Sequence, residues 1–139
     1  MRHIAKVHVR WDDQDAFGHV NNATYLTYVQ EARVEMLWRT RINQGLEPIL
    51  MEMVVARAEL DYVLPIYDGS IDIDCEMWIG KIGGASFEMY YELKSAAGLH
   101  ARIMTVQVGI DTTTKKSRRL SDSEREYLVQ YHEIDDPSI

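Results

Sequence analysis

Apolar and polar residues alternate with period two along most of the chain, and one stretch breaks from that rhythm. In "SIDIDCEMWIG", Ile71, Ile73, Cys75, Met77 and Ile79 alternate with Asp72, Asp74, Glu76 and Trp78, the pattern of a strand with one buried and one wet face. "SFEMYYEL" repeats it through Phe87, Met89, Tyr91 and Leu93, and "IMTVQVGI" through Met104, Val106, Val108 and Ile110. Val54, Ala56, Ala58, Leu60 and Tyr62 share a phase ahead of Pro65, and Val7, Val9 and Trp11 make up a first strand. The connections "YDGS", "GKIGGAS" and "SAAGLH" are short and carry glycine. That chemistry predicts antiparallel hairpins rather than βαβ crossovers.

Residues 23–39 follow a helical period instead. On a wheel of about 100° per residue, Tyr25, Val29, Ala32 and Met36 centre an apolar stripe, with Leu26, Tyr28 and Leu37 beside it. Thr24, Thr27, Glu31 and Glu35 lie opposite, where Val34 and Trp38 interrupt the polar face and predict a partial cover. "SDSE", from Ser121, has the form of a capping box opening a short last helix. The order is β-α-β-β-β-β and a short helix, an α+β architecture. A helix of about 25 Å matches one antiparallel sheet curled around it. Such a sheet has edges that need protection, and pairing with a second copy is one way to supply it.

Composition narrows this picture. The 139 residues predict a single domain spanning 1–139, with 46% apolar and 27% charged residues in ordinary globular proportion. A net charge of −7 argues against binding nucleic acid. No apolar run is long enough for a membrane span, and the first residues lack a signal peptide's apolar core, so a cytoplasmic protein is expected. Cys75 is the only cysteine and lies on an inward strand position, which reads as packing. His3, His8, His100 and His132 lack metal-ligand spacing, so neither metal nor cofactor is expected. One basic cluster stands out, "KKSRR" at Lys115–Arg119. It reads as a solvated turn or as a local grip for an anion.

The densest chemistry is "WDDQDAFGHVNNATY", Trp11 to Tyr25, at the junction of first strand and helix. With Asn21 as the cap, the N–H groups of Asn22, Ala23 and Thr24 have no partner inside the helix. They carry the positive end of its dipole, suited to a carbonyl oxygen as it becomes an oxyanion. Asp15 stands upstream on a loop that Gly18 lets turn sharply. A carboxylate facing a polarised carbonyl is the minimal kit for attacking an ester or thioester. Asp15 could equally cap a turn, and Asp12 and Asp13 read as turn and solvent residues. Tyr25 and Tyr28 read as core first and pocket wall second.

The pattern Asp13, Asp15, Gly18, His19, Val20, Asn21, Asn22 and Tyr25 (D-x-D-x-x-G-H-V-N-N-x-x-Y) resembles the signature of hotdog-fold acyl thioesterases, of the 4-hydroxybenzoyl-CoA thioesterase type. The resemblance extends through "YLTYVQEARVEML", "ELDYVLPIYDGS" and "GGASFEMYYEL" to nearly the whole chain. It implies a hotdog fold, with an antiparallel sheet wrapped around one long central helix, and hydrolysis of an acyl thioester to acid and thiol. It gives Asp15 the catalytic carboxylate, Asn22 the polarising backbone N–H, and His19 a place that some acyl carrier protein thioesterases use. Phe17 stands where that branch often has asparagine, which favours the simpler mechanism of Asp15 and the helix end. Gly18, Val20 and Tyr25 are expected beside the substrate, and Lys81 and Ser86 of the "GKIGGAS" turn beside its carrier. The implied partners are acyl-CoA or an acyl carrier protein, and a second copy in a homodimer or homotetramer with sites at the interface. The alternatives are a non-catalytic acyl-binding module and a hotdog dehydratase, whose helix pattern and Asp/His spacing are missing. The hotdog branch with a glutamate on the central helix is disfavoured too, because Glu31 and Glu35 lie on the polar side.

Overall fold

The computed structural model describes residues 1–133. Strand β1 (His3–Val9) leads through a 3₁₀ turn at Trp11–Asp13 and the polar junction to a second 3₁₀ turn at Asn22–Thr24. Helix α1 (Tyr25–Val34) follows, and passes through a π-helical segment (Glu35–Arg39) into α2 (Thr40–Asn43). Strands β2 (Met53–Tyr62), β3 (Ile71–Ile82), β4 (Ser86–Ser95) and β5 (Gly98–Gly109) and helix α3 (Asp122–Val129) complete the order. All strand pairings are antiparallel, in the order β1-β3-β4-β5-β2. This is the α+β hotdog arrangement, one sheet around one long helix. The helix outruns the expected residues 23–39 at its C-terminal end, because Thr40–Asn43 continue it beyond the π segment.

The helical stripe is buried nearly as the period requires. Tyr25, Tyr28, Val29, Ala32, Met36 and Leu37 face the sheet, whereas Leu26 is 40% exposed. They meet Ile73, Cys75, Met77, Met89, Tyr91, Leu93 and Ile103 in the main core. Burial pushes the Cys75 thiol up to about 12, so the group packs as a small hydrophobe. Val34 and Trp38 stay partly exposed in the protomer. Ser121 accepts from the Glu124 N–H and Glu124 closes the capping box of α3.

Four expectations change in three dimensions. "YDGS" is not a hairpin, because β2 and β3 lie three strand positions apart, about 14 Å across the sheet. Residues 63–70 therefore cross the end of the sheet and pass under the start of the helix. The phase of β2 is broken by a bulge between Val55 and Arg57. The bulge absorbs Ala56, so Met53 and Val55 share the inner face with Ala58, Leu60 and Tyr62 while Val54 turns outward. In β5 the inner face carries Ala101, Ile103, Thr105 and Gln107. Met104 and Val106 instead join Trp78 and Tyr90 in a second cluster on the outer face, under the Arg2 guanidinium. Trp11, finally, leaves the sheet phase and is 74% exposed.

The polar junction is tied to the helix by Asp13. Its side chain is buried, not solvated. It accepts hydrogen bonds from the Tyr28 hydroxyl at 2.7 Å, from the Arg10 backbone N–H at 3.0 Å and from the Arg10 guanidinium at 2.9 Å. Burial works most strongly against its ionised form, yet the bonds from Tyr28 and Arg10 together hold the carboxyl below the usual carboxylate range. The Tyr28 phenol is pushed up by burial and by this acceptor. A group with a lowered folded-state pKa stabilises the fold above its unfolded pKa, and that stability is lost as pH falls through the folded value. Asp13→Ala strands the Tyr28 hydroxyl and is expected to cost about 3 kcal/mol. Thermal denaturation at pH 7 should show a fall of about 10 °C. The gap between native and variant should narrow as pH drops below about 4.

Candidate active site

The junction folds as a miniature hairpin. Gln14 and Val20 form an antiparallel bridge, the Asp15 N–H donates to the His19 carbonyl at 2.8 Å, and the Gly18 N–H donates to the Asp15 carbonyl at 3.1 Å. Gly18 sits at φ +83°, a conformation that costs a side chain but not glycine. The Asp15 Oδ1 accepts the Phe17 N–H at 2.8 Å. Its Oδ2 lies 3.8 Å from His19 Nδ1, beyond hydrogen-bond length, and so remains uncommitted. The His19 Nδ1 lies 3.2 Å from the Val20 carbonyl, and the ring stacks on Phe17 and meets Tyr67 edge-on.

The hairpin delivers the chain to the helix end. The Asn21 side chain accepts the Ala23 N–H at 2.9 Å, and its carbonyl accepts the Thr24 N–H at 3.0 Å. Of the three donors expected to be open, two are thus sealed by the cap. Among the described residues, the Asn22 N–H has no hydrogen-bond partner. Beside it lies a cavity of about 320 Å³ lined by His19, Val20, Asn22, Tyr25, Tyr62 and the crossing loop at Val63–Pro65. Tyr62 closes one side, donating its hydroxyl to the Asn22 carbonyl at 3.0 Å and packing edge-on against Tyr25 at 5.1 Å. Burial raises the Tyr25 phenol.

His19, Val20, Asn22 and Tyr25 therefore converge on one cavity. Gly18 and Asp15 stand in the adjoining turn, and Asp15 meets the cavity wall through His19. Lys81 and Ser86 do not join them. They lie at the far end of β3 and β4, six residues or more from Cys75 and Leu93, which are level with Tyr62 across the sheet, about 20 Å away along the strand. At that end the structure unites two segments distant in sequence. The Leu120 N–H donates to the Gly84 carbonyl, and Arg125 donates to the Gly83 carbonyl at 2.7 Å. The "KKSRR" segment thus lies against the "GKIGGAS" turn. Arg118 is spent there on Glu124, by two bonds of 2.9 and 3.0 Å, while Lys115, Lys116 and Arg119 are exposed.

Sequence reasoning missed His100. It is buried, and Nδ1 lies 2.9 Å from the Leu64 carbonyl while Nε2 lies 2.6 Å from Ser95 Oγ. A carbonyl only accepts, so Nδ1 carries the proton and Nε2 accepts from the serine. The His100 carbonyl in turn receives the Val63 and Leu64 N–H groups. This histidine holds the crossing loop that walls the cavity, and only the topology puts it there.

The model of the thioesterase-like superfamily matches residues 9–128. The chain belongs to that superfamily. It is 31% identical over 130 residues to the 1,4-dihydroxy-2-naphthoyl-CoA hydrolase of Nostoc punctiforme, covering 86% of this chain and 82% of that protein. A thioesterase from Thermus thermophilus, solved with coenzyme A and zinc, superposes with a TM-score of 0.75 at 27% identity, covering 92% of each chain. A predicted thioesterase from Bacillus stearothermophilus gives 0.83 at 24% identity, over 98% of this chain and all of the other. The molecule is a thioester hydrolase of the acyl-CoA thioesterase type. Among its described residues no helix is long and apolar enough to cross a membrane.

His100→Ala should leave the Leu64 carbonyl unpaired and loosen this wall. The expected loss is about 1.5 kcal/mol, read as a fall in melting temperature of about 5 °C. In steady-state kinetics it should raise KM by a larger factor than it lowers kcat.

Proposed function

We propose that this thioesterase uses Asp15 as its catalytic carboxylate and the Asn22 N–H to polarise the carbonyl of an acyl-CoA. One observation carries this reading: an unpartnered helix-end amide and a carboxylate with one uncommitted oxygen are held by the same small hairpin. The carbonyl carbon is attacked by Asp15, giving an anhydride that water opens, or by a water that Asp15 deprotonates. In both routes the carbonyl oxygen gathers charge facing the helix end, the C–S bond breaks, and the thiolate takes a proton. One water is consumed, and acid and thiol leave. His19, with Nδ1 at 3.2 Å from the Val20 carbonyl and 3.8 Å from Asp15 Oδ2, stands beside that carboxylate in an orienting position.

Coenzyme A in the Thermus relative and the acyl-CoA named for the Nostoc relative support coenzyme A as the carrier, and the second supports an aromatic acyl group. The cation-rich end at Lys81, Lys115, Lys116 and Arg119 lies at the opposite end of the strands from Asn22 in the same protomer. The edge strand β2 leaves Val54, Val55 and Tyr62 exposed. Antiparallel pairing of β2 with its copy about a two-fold axis would set the Met53 end of one protomer beside the Tyr62 end of the other. That pairing supports a homodimer in which the coenzyme phosphates of one site meet the cations of the partner subunit.

Asp15→Asn is expected to lower kcat by at least about 10²-fold with the melting temperature little changed. Thiol release from aliphatic and aromatic acyl-CoAs measures it, and near-native turnover would remove Asp15 from the mechanism. His19→Ala should lose less than about tenfold; a loss equal to that of Asp15→Asn would make it a full catalytic partner. Single turnover in ¹⁸O-water, followed by mass analysis of the Asp15 peptide, tests the covalent route: label in the carboxyl requires an anhydride opened at the Asp15 carbon, whereas general-base hydrolysis puts the label in the product acid alone.

A further inference from the structure

A second cavity, about 260 Å³, lies on the same seam between helix and edge strand, lined by apolar Val34, Leu37, Met53, Val55 and Phe87. Its polar lining is Gln30, Arg33 and Gln107. Ala58 and Leu60, which face inward on β2, lie between this cavity and the one at Asn22. Ala58 is exposed despite its inward position, so the seam is an open groove.

The polar groups at its far end form one chain. Arg33 Nη1 donates to the Tyr91 hydroxyl at 3.1 Å, Tyr91 Oη and Thr105 Oγ1 lie 2.8 Å apart, and Gln107 Nε2 donates to Thr105 Oγ1 at 3.0 Å. Arg33 donates to the Tyr91 oxygen, so the phenol hydroxyl is assigned as the hydrogen-bond donor to Thr105 Oγ1. The relay fixes the Gln107 amide and holds the guanidinium over the Tyr91 ring. It uses one of the five N–H donors of Arg33. Among the described residues no carboxylate lies within ion-pair distance of that guanidinium. A half-buried cation of this kind gains most from an oxygen anion that enters the groove.

We infer that this groove is the acyl site and that Arg33, with Gln30 and Gln107, selects acyl groups carrying an oxygen acceptor, a carboxylate above all, at the end remote from the thioester. The inference rests on the thioesterase reading and specifies its substrate class. Asn22 and Arg33 are eleven residues apart, about 16 Å along the helix, and the arginine side chain leans back towards the N-terminus. What remains is about 10 Å, the length of a chain of roughly eight carbons or of a bicyclic aromatic acid.

The test is kcat/KM for matched pairs, suberoyl-CoA against octanoyl-CoA and adipoyl-CoA against hexanoyl-CoA, on the native protein, Arg33→Met and Arg33→Lys. The native protein should prefer the suberoyl member by about 10-fold to 100-fold, chiefly through KM, with a smaller preference in the shorter pair. In Arg33→Met that preference should collapse to about twofold, and Arg33→Lys should keep part of it. If Arg33→Met does not fold, Gln107→Met is read in its place and should weaken the preference without abolishing it. Hydrolysis of both members with equal efficiency by the native protein, or an undiminished preference in Arg33→Met, overturns the inference while sparing the thioesterase. Absence of thiol release from every acyl-CoA overturns both.

Discussion

A buried carboxylate bonded to a helix phenol fixes how the polar junction meets the helix, and the candidate site depends on that contact. Asp13 takes hydrogen bonds from Tyr28 on α1 and from both the backbone and guanidinium of Arg10 at the end of β1. The residues between are thereby pinned at both ends, to the sheet and to the helix. Within that frame a seven-residue hairpin has little freedom. Gln14 and Val20 pair, Gly18 turns, and Asn21 reaches the cap position with its N–H on the Asp13 carbonyl. The two aspartates of the motif divide the work. One is desolvated and structural, and the other keeps a carboxylate oxygen available.

The crossing loop adds the remaining wall. Because β2 and β3 are not neighbours, residues 63–70 must span the end of the sheet, and their path runs under the helix start. The Val20 N–H donates to the Ile66 carbonyl there, and His100 fastens Leu64. Gly69 packs so tightly on the Trp11 backbone that a Cβ would come within 2.8 Å of it. Strand order thus turns an apparent surface turn into part of a binding site. The same order leaves β2 as an edge whose inner face, shifted by the bulge at Ala56, is only partly covered by the helix.

Much of this was legible in the residues. The strands, the helix, the capping box of α3 and the antiparallel class followed from local periodicity and turn chemistry. The D-x-D-x-x-G-H-V-N-N spacing located the junction and named Asp15, Asn22, His19, Val20 and Tyr25. Reading failed where two faces of one strand are similarly apolar. In β5, Met104 and Val106 looked like core, yet they pack against Trp78 and Tyr90 on the outer face, while Thr105 and Gln107 go inside. Inside they are tolerated because the Thr105 hydroxyl is bonded to both Tyr91 and Gln107 and Tyr91 in turn to Arg33, and no local pattern announces links spanning 14 and 58 residues.

The sequence by itself determined the elements, the helix cap and the chemical inventory of the junction, because these depend on residues a few positions apart. Tertiary structure alone decided that Asp13 is buried, that Lys81 lies far from Asn22 while Gly84 of its turn packs beside Arg119, and that Arg33 faces a groove. Each of these is a matter of which distant segments share space. Burial and hydrogen-bond saturation are set by neighbours in three dimensions, and strand order, which the linear pattern leaves open, chooses those neighbours.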